Sequence, residues 1–206
     1  MKKYNSFEGR GDRATGKPDG EISRLEKQRE DRKADLNETI REARHEVKLG
    51  MKEAKRELRR QEKNHLREIN DRLDETGSRP HEYGDDYEER VDSLRERARD
   101  IKKEIRAEAR AAKLEIEGRS ERFDDGVEKI RNDIENRAAH ARSRISATSP
   151  MDAYGDYRAG DPYGTVNNYA DRIETHAGMT QERMQQDAAR AAEDMQERLR
   201  DLKRKY

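Results

Sequence analysis

Apolar residues recur along this chain in steps of four, three and four. They fall at Leu36, Ile40, Ala43, Val47, Met51, Ala54 and Leu58, and then at Ile69 and Leu73. Further on, Leu94, Ile105, Ile116, Val127 and Ala138 are 11 residues apart, and so are Ile101, Ala112, Phe123, Ile134 and Ile145. A third stretch carries Ile173, Ala177, Thr180, Met184, Ala188, Ala191, Met195, Leu199, Leu202 and Tyr206. An 11-residue period is three helical turns of about 3.67 residues, so each stripe runs nearly parallel to its helix axis. The pattern predicts long amphipathic helices over residues 22–76, 83–147 and 171–206, the first two about 80 and 95 Å long at about 1.5 Å per residue. Gly77, Ser78 and Pro80 stop the first helix, with residues 77–82 as a break, and Thr148, Ser149 and Pro150 stop the second. Residues 1–21 read as a disordered tail. Residues 148–170 read as a Gly/Pro linker carrying Tyr154, Tyr157, Tyr163 and Tyr169.

The stripe is thin. One position in three is often small or polar, as at Ala43, Ala54, His65, Thr76, Ala98, Ala109 and Ser120. A large apolar side chain contributes about 1.5–3 kcal/mol only when fully buried, whereas ordering the backbone costs about 1–2 kcal/mol per residue. Only 30% of the 206 residues are hydrophobic and 46% are charged, so a lone helix is marginal in water. The expected fold is all-α: long extended amphipathic helices with an 11-residue repeat, coiled-coil-like, conditionally disordered and without a compact globular core.

Charge sharpens the picture. The 47 basic residues balance the 47 acidic ones, and no segment carries a large excess, so the electrostatic footprint of a nucleic-acid binder is missing. The charges are sorted about the stripe. On the side following each apolar position stand Lys48, Lys52, Lys55 and Arg59 in the first helix and Arg95, Arg99, Lys102, Arg106 and Arg110 in the second. On the preceding side stand Glu46, Glu53 and Glu57, then Asp100, Glu104 and Glu108. Opposite signs meet when such helices pair in parallel, and like flanks meet when they pair antiparallel. The expectation is therefore a self-association seam between chains in parallel, and a hairpin of the first two helices is disfavoured. The seam residues would be Leu36, Ile40, Val47, Met51, Leu58, Ile69, Leu73, Leu94, Ile101, Ile105, Ile116, Phe123, Val127, Ile134, Ile145, Ile173, Met184, Met195, Leu199 and Leu202.

Candidate chemistry changes little. Gly11 to Pro18 approaches a phosphate-binding loop, but Pro18 stands where Ser or Thr is needed and no strand precedes it. Arg10, Gly11 and Asp12 form an adhesion-type tripeptide without a secretion signal. His45, His65, His81, His140 and His176 lack ligand spacing, and the chain has no cysteine. Asn37, Glu38 and Thr39 form a glycosylation triplet inside a helical pattern. Carboxylates abound without an enclosing pocket. The expectation is no enzyme, no cofactor, no metal and no small-molecule substrate. With no apolar span or signal-type start, the chain is expected in the cytoplasm, with the nucleus second.

The run from Asp35 to Leu58, above all Thr39-Ile40, Glu46-Val47, Leu49 and Ala54-Lys55-Arg56-Glu57-Leu58, resembles the central helical region of cytoplasmic abundant heat-soluble proteins of tardigrades. A weaker likeness covers Glu128 to Arg142, and Arg106 to Lys113 is similar to late embryogenesis abundant proteins. The resemblance implies a desiccation or stress protectant. Such a protein is disordered in dilute solution, helical on drying, able to form fibres or gels, and shields client proteins or membrane surfaces.

Two other functions fit the pattern. One is a structural coiled-coil assembly protein, viral or cytoskeletal, folded as a parallel oligomer. The other is an amphipathic lipid-binding protein, although such proteins usually carry basic residues on both edges of the apolar face.

Overall fold

A computed structural model describes residues 18–78, 87–147 and 166–205. Among these the chain forms three α-helices, α1 (Pro18–Gly77), α2 (Tyr87–Ala147) and α3 (Val166–Lys205). α1 starts on a proline, whose missing N–H costs nothing in a first helical turn. α2 starts with Glu88 and Glu89, which complement the helix dipole. The end of α1 is closed locally: Ser78 donates its backbone N–H (3.1 Å) and its hydroxyl (2.7 Å) to the Asp74 carbonyl. The Tyr87 hydroxyl donates to the Gly77 carbonyl at 2.8 Å, which ties the first residue of α2 to the last of α1. The tail before residue 18, the Gly/Pro stretch 148–165 and the Gly11 and Arg10 motifs lie outside the described residues.

The three helices pack against one another, which corrects the expectation of extended helices without a core. α1 and α2 are antiparallel: Arg44 meets Asp124 and Glu128, Lys55 meets Glu117, Lys113 meets Glu62 and Lys102 meets Asn70. α2 and α3 are antiparallel as well, with Tyr169 on Asp133, Arg119 on Asp187, and Arg198 against Glu104 and Glu108. α1 and α3 run parallel, since Gly50 abuts Gln181 and Glu68 meets Lys203. The result is an up-down-up bundle, about 90 Å long along α1 at 1.5 Å per residue.

The core is a single column along the bundle axis. Its largest fully buried side chains include Phe123, Leu58, Ile69, Leu94, Ile101, Ile105, Ile116, Ile173, Met184 and Met195. Alanines fill the gaps between them: Ala43 and Ala54 on α1, Ala98 and Ala109 on α2, and Ala177, Ala188 and Ala191 on α3. Among the described residues three polar side chains are buried in the column. Thr180 returns its hydroxyl to the His176 carbonyl at 2.7 Å, and His65 donates from Nδ1 to the Gln61 carbonyl at 2.7 Å. The third is Ser120.

Candidate interaction seam

Of the stripe residues named from the sequence, Leu36, Ile40, Val47, Leu58, Ile69, Leu94, Ile101, Ile105, Ile116, Phe123, Val127, Ile134, Ile173, Met184, Met195, Leu199 and Leu202 are all buried. Met51 and Leu73 are half-buried against the same core, and Ile145 falls outside the described side chains. The structure brings them together within one chain. The apolar surface read as a contact between copies is here consumed by the chain's own three helices.

The antiparallel hairpin overturns the expectation that α1 does not fold back on α2, and the reason is electrostatic. Like flanks do meet, as antiparallel packing requires, but the sign of each flank reverses along the helix. On α2 the following flank is basic through Arg95, Arg99, Lys102, Arg106, Arg110 and Lys113, and then becomes acidic at Glu117, Glu121, Asp124 and Glu128. On α1 it is basic from Arg44 through Lys63 and turns to Asn70 and Asp74 only near the end of the helix. Antiparallel packing sets the basic first half of the α1 flank beside the acidic second half of the α2 flank. Arg44 donates from Nε to Asp124 Oδ1 at 2.9 Å and from Nη2 to Glu128 Oε1 at 2.6 Å. Lys113 donates to Glu62 Oε2 at 2.9 Å, Lys102 to Asn70 Oδ1 at 2.6 Å, and Lys55 pairs with Glu117.

The preceding flanks do the same between α2 and α3. Acidic Glu104 and Glu108 face Arg198, at 3.6 and 3.3 Å. Three turns beyond Glu108 on α2, Arg119 grips Asp187. Arg44, Arg119 and Arg198 are each held above the ordinary arginine pKa, chiefly by hydrogen bonds to Glu128, Asp187 and Glu108.

The other flanking charges stay local or face solvent. Arg95 pairs with Asp92, Lys103 with Asp100, and Arg60 with Glu57, all one turn apart on their own helices. Glu46, Lys48, Lys52, Glu53, Arg59, Arg99, Arg106 and Arg110 are exposed. The residues that sequence reading missed are Glu117, Asp124, Glu128, Glu62, Arg119, Asp187 and Arg198. Counting the flanks through to the end of α2, rather than through its first half, would have found the first three.

Among the described residues, grooves of about 520–560 Å³ lie between the helices. One is basic, lined by Arg41, Arg44, His45, Lys48 and Arg131. Among the described residues no group of three or more His, Cys, Asp or Glu side chains is placed to hold a metal ion, and no helix is long and apolar enough to cross a membrane. Comparison with known proteins gives no match: no family model, no curated protein and no solved structure matches this chain.

Proposed function

We propose that this chain is a non-enzymatic stress protectant whose bundle is a resting form that opens and closes. The observation that carries the reading is the economy of the core. Each helix has one apolar stripe interrupted by alanine or a polar residue, and all three stripes meet in one column. That column serves either the bundle or another surface, never both at once. Its 11-residue spacing keeps the stripe on one line of the helix, so an opened helix presents a continuous apolar edge to a client protein, a membrane surface or the parallel stripe of a second copy. Loss of water removes the competitor for backbone hydrogen bonds and drives the helices to form, while the charged outer faces keep the chain soluble after heating. The likeness of residues 35–58 to heat-soluble proteins supports the same reading.

Circular dichroism in dilute buffer and again after drying tests it. The expected result is partial helix in dilute buffer, a broad reversible melt, more helix on drying, and protein that stays in solution after boiling. A single steep melt that leaves a precipitate would overturn it.

A second reading follows from the same column: three amphipathic helices that meet through their stripes can unfold onto a lipid surface. Anionic vesicles that raise helix content, with blue-shifted fluorescence from a tryptophan placed at Phe123, would favour that reading.

A further inference from the structure

We infer that the face shared by α1 and α2 over residues 56–67 and 99–110 is a docking surface for double-stranded nucleic acid, held through its phosphates without reading its sequence. The surface belongs to the closed bundle and makes no use of the buried stripes, so it goes beyond the protective function proposed above.

The electrostatic match that closes the hairpin covers only part of its length. Arg44 and Lys55 meet Asp124, Glu128 and Glu117 on α2. Further along, the α1 flank is still basic at Arg59 and Lys63, and the α2 flank beside it is basic as well, through Arg99, Lys102, Arg106 and Arg110. The contacts of Lys113 with Glu62 and of Lys102 with Asn70 fix the register. Lys63 and Arg67 therefore stand at the level of Arg110 and Arg106, cation beside cation.

Spacing gathers each run into a ridge. Arg56, Arg59, Lys63 and Arg67 follow one another in steps of three, four and four, and so do Arg99, Lys102, Arg106 and Arg110, which lines each set along one side of its helix. Those sides face away from α3. The α3 side of α1 carries Gln61 and Glu68, and the α3 side of α2 carries Glu104 and Glu108, which hold Arg198. All members of the two ridges are exposed except half-buried Lys102. Among the described residues none of them has an ion pair, and Lys102 donates only to the neutral Asn70. The other carboxylates of these stretches are already engaged, Glu57 by Arg60, Glu62 by Lys113 and Asp100 by Lys103. No segment of the sequence is strongly basic, because each helix carries compensating carboxylates elsewhere; the hairpin collects the uncompensated cations on one face. Crowding of one sign opposes folding and finds no compensation within the chain, the mark of a surface that serves a partner of opposite charge.

The composition of the face selects the partner. Arginine predominates, and its planar fork matches a phosphate with two hydrogen bonds. Two parallel ridges, each about 17 Å long at about 1.5 Å per residue, suit the regularly spaced phosphates of a duplex. A single strand fits less well, since neither run contains Phe, Tyr or Trp on which a base could stack. A lipid surface also fits less well. Among the described residues neither run holds an exposed large apolar side chain, and Leu114, 67% exposed just beyond the second run, is flanked by Glu115 and Glu117. The band is bounded along the rod as well: α2 turns acidic at Glu117 and Glu121, and α1 ends with Asp71, Asp74 and Glu75, all exposed. A plane of anionic headgroups would lie over those carboxylates too, whereas a duplex crossing the rod meets the basic band alone.

The test uses the full chain and fluorescence anisotropy of two short labelled DNA duplexes of unrelated sequence. Wild type is expected to bind both equally at about 50 mM salt and to lose at least about a hundredfold in affinity by about 200 mM. The double variant Lys63→Gln with Arg106→Gln removes two neighbouring cations. It is expected to weaken binding at least about tenfold and to lower the slope of log affinity against log salt by about 2. The control Arg183→Gln with Arg190→Gln makes the same change in net charge at exposed positions on α3 and is expected to alter affinity by less than about twofold. Circular dichroism checks folding: relief of like-charge crowding leaves the band variant melting no lower than wild type. Absence of duplex binding at low salt, an equal loss in the α3 control, a band variant that melts below wild type, or tighter binding to anionic phosphatidylserine vesicles than to the duplex would each overturn the inference. Failure here leaves the proposed protective function standing, since that reading rests on the buried column.

Discussion

Arg119 of α2 embraces Asp187 of α3 with two hydrogen bonds, Nε to Oδ2 and Nη2 to Oδ1, the second at 3.0 Å. Both side chains are largely covered, 22% and 13% exposed, and Glu115 adds a third charge 3.8 Å from Arg119. A fork-to-carboxylate pair of this kind fixes distance and angle together, which a lysine cannot do. A double-mutant cycle of Arg119→Met and Asp187→Ala, followed by urea unfolding, is expected to give a coupling of about 1–2 kcal/mol. A coupling near zero would mean that α3 is not seated on α2 as described.

The same pair sets an expectation for pH. Asp187 raises the Arg119 pKa above the free-arginine value, so the pair's contribution through the guanidinium is fully present below that value and is lost only as pH rises through the still higher folded value. Between pH 6 and about 10 the wild type and Arg119→Met are therefore expected to differ by a constant amount. Parallel stability curves across that range check it.

The parallel run of α1 and α3 can be locked covalently. A Cβ built on Gly50 lies 3.5 Å from the Gln181 Cβ, at the near edge of the disulfide range. The chain has no cysteine of its own, so Gly50→Cys with Gln181→Cys offers one pairing only. Mild oxidation is expected to join them within the monomer and to stabilise the bundle by about 3–5 kcal/mol, since the bridge closes a long loop. Oxidation that yields only cross-linked dimers would contradict the arrangement.

Among the described residues Phe123 is the largest wholly buried side chain, and its ring lies 5.4 Å from that of His176. Phe123→Ala is expected to cost about 3–5 kcal/mol, or to leave the chain unfolded in dilute buffer if the bundle is as marginal as its alanine-rich column suggests. Far-ultraviolet dichroism distinguishes the variant from wild type in either case.

His65 tests the opposite direction. Its ring occupies a core position and, among the described residues, is bonded only back to Gln61 of its own helix. His65→Leu removes a polar group from the column and is expected to raise stability by about 1 kcal/mol, or a few degrees in Tm. A fall in Tm would show that the imidazole has a partner across the bundle.

Much of this architecture is legible in the residues themselves. The spacing of Leu94, Ile105 and Ile116, or of Ile173, Met184 and Met195, sets these side chains on one face of a helix, and all are buried. Helical periodicity is a local property, decided by 3.6 residues per turn, so it survives whatever the helix packs against. The pairing of helices is not local. Lys55 carries no mark that distinguishes Glu117 of its own chain from a carboxylate on another, and a flank read only over its basic half points to the wrong orientation. The choice also depends on the effective concentration that covalent connection gives α1, α2 and α3, which no periodicity records. The sequence by itself thus determined that there are long amphipathic helices, which face of each is apolar and where the charges stand around it. Only the tertiary structure decided that the three faces close on one another, that α1 and α2 run antiparallel, and that Leu114 is left outside, because those outcomes come from many weak contacts summed across the whole bundle.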